Sequence, residues 1–259
     1  MGTPINQANN RSFEGHLSDF GTELGQQKFL LRPGTNDDVI YANVVSRNEY
    51  RVPDDLSGAI VVDIGMHVGA FSHLALARGA AELHGFEPES SNFSSAVENL
   101  APFGARARLQ NRAVWRSDIA APTLHFWRST DNANAGGGTL IWDTDGPLVD
   151  AVAFDDVVDA ISEKGRRRIN LLKIDCEGAE FPILLTSRRL DCVDRIVGEY
   201  HELRAELPQH VRIPGCRQFT VDALTAHLEG AGFAVTLEPQ ATATFGELGL
   251  FFAERRAQQ

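Results

Sequence analysis

Three features of the sequence predict an α/β protein built on a mostly parallel sheet. From residue 59 onward, apolar runs of strand length alternate with stretches of helical periodicity, the pattern of right-handed βαβ units. The last two runs, "FAVTLEP" and "LGLFFAE", follow each other with no helix between them, which predicts an antiparallel hairpin at the sheet edge. With 259 residues, 43% of them hydrophobic, the chain is long enough to bury the core of a single domain of this class.

Residues 1–57 read as a polar segment followed by a β-hairpin cap. "KFLLRPG" and "DVIYANVV", separated by "TND", alternate enough to suggest an extended hairpin over residues 28–46. Residues 58–259 read as one globular unit. In order, it offers the strand "AIVVDIG", the helix "GAFSHLALARG", the strand "AELHGFEP", the helix "SSNFSSAVENLA" and the strand "ARLQNRAVW". Next comes "TLHFWRSTDNANAGGGTLIWDT", two β-prone pieces around a loop rich in Gly, Asn and Asp, expected to lie on the substrate side. Alternation resumes with "VDAVAFDDVVDAI", "INLLKID", "CEGAEFPILLTS", "DRIVGEYH" and "TVDALTAHLEGAG" before the closing hairpin.

The charge balance narrows the partners. A formal charge of −11 and the lack of any long basic run disfavour nucleic acid, which rewards clustered Lys and Arg. Three cysteines without metal-ligand spacing, Cys176, Cys192 and Cys216, read as free thiols in a reducing compartment. The polar N-terminus has no cationic lead into an apolar segment, and no run approaches the ~20 apolar residues of a membrane span. The expectation is a cytoplasmic protein acting on a small molecule; the polar first 25 residues and the hairpin could mediate a homodimer.

The first core strand ends on Asp63, and Gly65 and Gly69 then allow a sharp turn into the next helix, a place where open α/β sheets bind ligands. A dinucleotide fingerprint would need glycine at 67, where this chain has His67. The next strand ends on Glu87, one βαβ step later, where a carboxylate can accept both hydrogen bonds of a ribose diol. A ribose without a diphosphate narrows the cofactor to an adenosine derivative such as S-adenosyl-L-methionine.

Several segments then resemble, in order and approximate spacing over residues 28–255, the FkbM-like S-adenosylmethionine-dependent methyltransferases. They are "VVDIGMHVGAFSHLAL", "GFEPESSNFSSAVENL", "NRAVW", "VAFDDVV", "LLKIDCEGAEFPIL" and "IVGEYHE", with "KIDCEGAE" the most diagnostic. The resemblance implies a class I methyltransferase fold, Rossmann-like, with a seven-stranded sheet, mostly parallel with an antiparallel C-terminal strand. It also implies methyl transfer, most often to a hydroxyl of a natural product, sugar or lipid. Asp63, Gly65 and Gly69 match its glycine loop, Glu87 and Pro88 its ribose-binding strand end, and Asn111 and Ala113 its adenine-lining segment. Where the family usually has Ala-Asn between the glycines, this chain has Met66-His67.

A hydroxyl acceptor gains from a general base. The strand ends deliver Asp175 from "LLKIDCEG" and Glu199 and His201 from "RIVGEYHE". His201 is the expected base, since an unperturbed imidazole is largely neutral at cytoplasmic pH. Asp175 would orient it, bind cofactor or position the acceptor; the bland alternative is an N-cap for the helix that follows, with Glu177 and Glu180 complementing the helix dipole. Asp175, Glu199 and His201 could also gather a divalent cation, although their spacing does not demand one and no metal is assigned. His73 and His84 read as packing residues, Trp127 as the start of an acceptor gate, and Tyr50 as a candidate pocket residue.

Rival readings are N- or carboxyl-methylation of a small metabolite, a nicotinamide-dependent oxidoreductase on the same architecture, and a non-catalytic binding module. Glu87 suits the oxidoreductase and His67 counts against it. Asp63, Glu87 and Asp175 together at strand ends count against the binding module.

Overall fold

The computed structural model describes residues 16–18, 29–128, 136–142, 145–243 and 246–257. Its centre is a seven-stranded sheet. Strand β3 (Ile60–Ile64) pairs in parallel with β4 (Glu82–Phe86), which pairs in parallel with β5 (Ala107–Gln110). On its other side β3 pairs in parallel with β9 (Leu171–Ile174), and β9 with β10 (Arg195–His201). The last strand, β12 (Gly246–Arg255), runs antiparallel between β10 and the edge strand β11 (Phe233–Ala243). The closing hairpin is therefore where the sequence places it. Because the chain winds outward from β3 in one direction and later returns to its other side, a topological switch point lies between β3 and β9, at the carboxyl ends of the strands.

Strand periodicity sorts the side chains onto two cores. Ile60, Val62 and Ile64 join one cluster with α4 (Phe154–Ile161), α5 (Glu180–Thr186) and α6 (Val221–Gly230). Val61, Leu171 and Val197 join the other with α2 (Ala70–Ala77), α3 (Ser90–Leu100) and the N-terminal segment. Asp63 and Lys173 share this second face and are direct register partners across β3 and β9.

Two stretches differ from the sequence expectation. "ARLQNRAVW" is not one strand: β5 stays in the main sheet, while β6 (Ala113–Trp115) turns away into a three-stranded sheet with β7 (Thr123–His125) and β8 (Leu148–Ala153). The hairpin expected over residues 28–46 is also not there. Strand β2 (Phe29–Leu31) pairs antiparallel with β1 (His16–Ser18), and the second half folds as α1 (Asp37–Tyr41) continued by a π-helical turn, Ala42–Ser46. The β-branched residues of "DVIYANVV" suggest a strand, but Tyr41 and Val44 recur at helical spacing and both are buried, so packing decides for the helix. Residues of this segment border the cavity described below.

His73 is buried edge-on against Phe29 and Phe103, and His84 lies beside Glu82, so both are packing residues. Trp127 closes a bridge with Thr139; the loop residues 129–135, expected to form a gate, lie outside the described residues. Among the described residues no helix is long and apolar enough to cross a membrane.

Candidate active site

A cavity of about 700 Å³ opens at the switch point, within the range of small-molecule sites. Its floor is the turn after β3. Gly65 has φ +75°, and a Cβ there would stand 1.8 Å from the backbone oxygen of Asp175, so the close approach of the β3 and β9 ends requires glycine. Lys173, which the sequence reading did not single out, fixes this junction. Its Nζ donates to the Gly65 carbonyl at 2.6 Å and lies 3.4 Å from Asp63 and 3.6 Å from Asp175. Burial alone would lower its pKa, yet the two aspartates hold it well above the usual lysine range. A lysine in an apolar strand opposite an aspartate in its neighbour was the available signal.

Asp63 accordingly faces Lys173 and accepts from the Ser72 hydroxyl at 2.7 Å, and it does not border the cavity. Gly69, the residue before α2, packs against Leu100. Both shape the loop from behind. Gly65, His67, Glu87, Pro88, Ala113 and Asp175 do border the cavity. Asn111, expected against the adenine, instead donates its amide to the carbonyls of Glu87 and Pro88 at 2.8 and 3.0 Å, locking the end of β4.

Glu87 is a buried carboxylate whose two oxygens accept the backbone N–H groups of His67 and Glu89, each at 2.9 Å. A carboxylate has about four acceptor positions, so capacity remains toward the cavity. Burial, outweighing these bonds, pushes its pKa up to about 7. His67 sits at φ +54°, an uncommon region for a side-chain-bearing residue and one more often occupied at functional sites. Its Nε2 lies 3.2 Å from Arg32, which binds Asp37 through two nitrogens and Asn92 through a third. Its Nδ1 is buried without a hydrogen-bond partner among the described residues. The Met66-His67 departure thus couples the glycine loop to the N-terminal cap, and Met66 packs beneath Gly85.

The cavity also has an acidic lining. Asp175, Glu177, Glu199 and Glu49 border it. Asp175 accepts from the Tyr50 hydroxyl at 3.0 Å; burial works against its charge, but Lys173 foremost, then His201 and Tyr50, keep its pKa below the ordinary value. It caps no helix, since α5 starts only after Ala179 and has no side-chain cap. Burial raises Glu49 and Glu177 to about 7 and Glu199 to about 8, and the Asp175 charge adds to all three.

The neutral base expected at His201 is not what its surroundings favour. Its Nδ1 lies 3.0 Å from Glu180 and its Nε2 3.6 Å from Glu177 and 3.9 Å from Glu199. Burial would lower its pKa, but Glu180, Glu177 and Asp175 hold it well above the ordinary value, so the ring is charged at neutral pH. From sequence alone Glu177 and Glu180 read as helix-dipole partners; only the fold turns them toward this imidazole.

The model of the "Methyltransferase FkbM domain" family matches residues 63–234. Comparison with curated proteins found no match. Solved structures of similar outline include a precorrin-6y C5,15-methyltransferase from Geobacter metallireducens, 15% identical, covering 84% of this chain and 88% of that one at a TM-score of 0.42. Others are an rRNA methylase from Streptococcus thermophilus, 14% identical over 87% and 97% at 0.41, and a magnesium protoporphyrin IX methyltransferase from Synechocystis with bound SAM, 14% identical over 85% and 77% at 0.40. Likeness at this level says nothing of what this chain acts on. The family match spans well over half of the chain and includes the glycine turn, Glu87, Asp175 and His201: the protein belongs to the FkbM methyltransferase family.

Proposed function

We propose that this protein transfers a methyl group from S-adenosylmethionine to a hydroxyl of a small natural product or sugar-like metabolite. The observation that carries the reading is a single cavity whose lining holds Glu87 and the glycine turn together with the carboxylates of Asp175, Glu177 and Glu199. The residues present suit the cofactor: Glu87 can accept a ribose diol, and the buried, unpartnered Nδ1 of His67 is a polar atom in need of a ligand. Bound there, S-adenosylmethionine supplies a methyl on a sulfonium, and the acceptor oxygen gains that carbon while the electrons of the C–S bond remain on sulfur. The chain then has two tasks. It aligns the acceptor, and it receives the hydroxyl proton on a carboxylate of the Asp175, Glu177 and Glu199 group. Charged His201 cannot receive it and serves instead to favour the ionised form of Asp175.

Calorimetric titration with S-adenosylmethionine and its demethylated product tests the reading. Glu87→Gln should weaken both by about 10- to 150-fold, the worth of hydrogen bonds to a charged acceptor, ~1.5–3 kcal/mol. Because Glu87 takes up a proton near pH 7, wild-type affinity should fall as the pH drops below about 7, and the variant should lose that dependence. Heat from a nicotinamide cofactor with none from S-adenosylmethionine would overturn the assignment.

A further inference from the structure

We propose that Asp175, Glu199 and His201 together bind a divalent cation at the acidic lining of the cavity. One donor atom from each lies within 4.8 Å of the others. Donors shared by one ion at about 2.1 Å can stand at most ~4.2 Å apart, so side-chain shifts of well under an ångström close the site. Apart from the Nε2 proton of His201 and the carboxyl proton of Glu199, which the ion displaces to solvent on binding, the remaining bonds of these residues leave the required atoms open. Tyr50 and Lys173 hold Oδ2 of Asp175, which leaves Oδ1 for an ion.

The support behind His201 is the independent observation. Glu180, fully buried on α5, is itself held by the Gly178 and His201 backbone N–H groups, and its Oε1 takes the Nδ1–H of the His201 ring. Metal-ligating histidines characteristically donate their second ring N–H to a carboxylate, which fixes the tautomer and aims the other nitrogen. Here Nε2 is aimed at Glu177 and Glu199 and makes no hydrogen bond to either at 3.6 and 3.9 Å. A buried carboxylate behind the imidazole and carboxylates in front of it make the arrangement of a ligand rather than of a surface ion pair.

One imidazole and two carboxylates suit a cation of intermediate hardness, Mn²⁺ being the natural probe, with open positions toward the cavity. The consequence for chemistry rests on the methyl-transfer reading. An ion there takes the acceptor oxygen as a ligand, eases loss of its proton, and fixes it beside Asp175. Glu177, next to the ion and outside the ligand set, is then the carboxylate that receives the proton.

The experiment is titration of the 259-residue chain with Mn²⁺, following the loss of the free-ion electron paramagnetic resonance signal, with calorimetry alongside. One Mn²⁺ per chain is expected, displaced by a chelator. His201→Asn and Glu199→Gln should each weaken binding at least tenfold, Glu180→Gln should weaken it about 10- to 100-fold through orientation alone, and Asp118→Asn, remote from the site, should leave it unchanged. Circular dichroism confirms that each variant is folded. Absence of saturable binding to the wild type at millimolar Mn²⁺, or equal binding by the His201 and Glu199 variants, overturns the proposal. S-adenosylmethionine titrated in the same samples separates the two readings: cofactor binding without Mn²⁺ sinks only the cation site, and Mn²⁺ binding without cofactor sinks only the methyl donor.

Discussion

Lys173→Met is expected to lower the unfolding free energy by about 3–5 kcal/mol, the cost of removing one partner from a buried ion pair. At roughly 2–4 °C per kcal/mol for a chain of this size, the melting temperature should fall by about 6–20 °C. Methionine fills the volume of the lysine stem, so the loss is electrostatic rather than a cavity. Without Nζ, Asp63 stays fully buried with the Ser72 hydroxyl as its remaining side-chain donor, the Gly65 carbonyl loses its 2.6 Å bond, and Asp175 loses a neighbour that keeps it charged. The double variant Lys173→Met/Asp63→Asn should recover part of the loss, because it no longer leaves a bare buried carboxylate. Denaturant unfolding of the two variants and the wild type checks this. A single variant within 1 kcal/mol of wild type would mean that the pair is solvated or redundant, and that something other than Lys173 holds the glycine turn to β9.

The sheet was legible because its signals are local and repeat: apolar runs at strand length, helices between them, and a closing pair without one. The N-terminal segment was not, since "DVIYANVV" carries β-branched residues in a stretch whose helical packing against α2 is visible only in three dimensions. The site divides the same way. Asp175 and Glu199 were legible as carboxylates at the ends of core strands, and both border the cavity. Glu87 was legible by its βαβ spacing, but not the backbone N–H of His67 that it accepts, which only the turn brings near. The charge of His201 was illegible for a similar reason: an isolated imidazole is mostly neutral at pH 7, and three of the carboxylates that reverse this come from the segment after β9, brought across to β10 by the sheet register. Lys173 was passed over as an ordinary strand residue because burial of a lysine is uncommon, although the aspartate opposite it in the sheet supplies the reason.

Glu199→Gln should reduce turnover by about 10²- to 10⁴-fold, the range of a proton transfer that is no longer assisted, because the ion that eases loss of the acceptor's proton goes with its ligand, while leaving the fold intact or more stable. The stability half follows from linkage. The folded-state pKa of Glu199 stands near 8 and those of Glu49 and Glu177 near 7, above their ordinary 4.5, chiefly from burial and then from the Asp175 charge. A carboxyl raised in this way contributes stability that is fully present below about pH 4.5 and is lost as pH rises through its folded value. The wild type should therefore lose stability between about pH 5 and 8, and Glu199→Gln should flatten the upper part of that decline, giving a melting temperature at pH 8 at or above the wild-type value. Glu177→Gln supplies the contrast. It should also slow turnover and abolish the rise of rate with pH near 7, but retain Mn²⁺, whereas Glu199→Gln should lose the ion. Melting temperature and turnover measured from pH 5 to 9 decide the matter. Should Glu199→Gln melt lower than wild type at pH 8, the carboxylate would be stabilising the fold; retained turnover would remove Glu199 from the reaction. The expected pair of results would mean that ionising the acidic lining above neutral pH costs the fold stability, a cost that a cation in the cavity would offset.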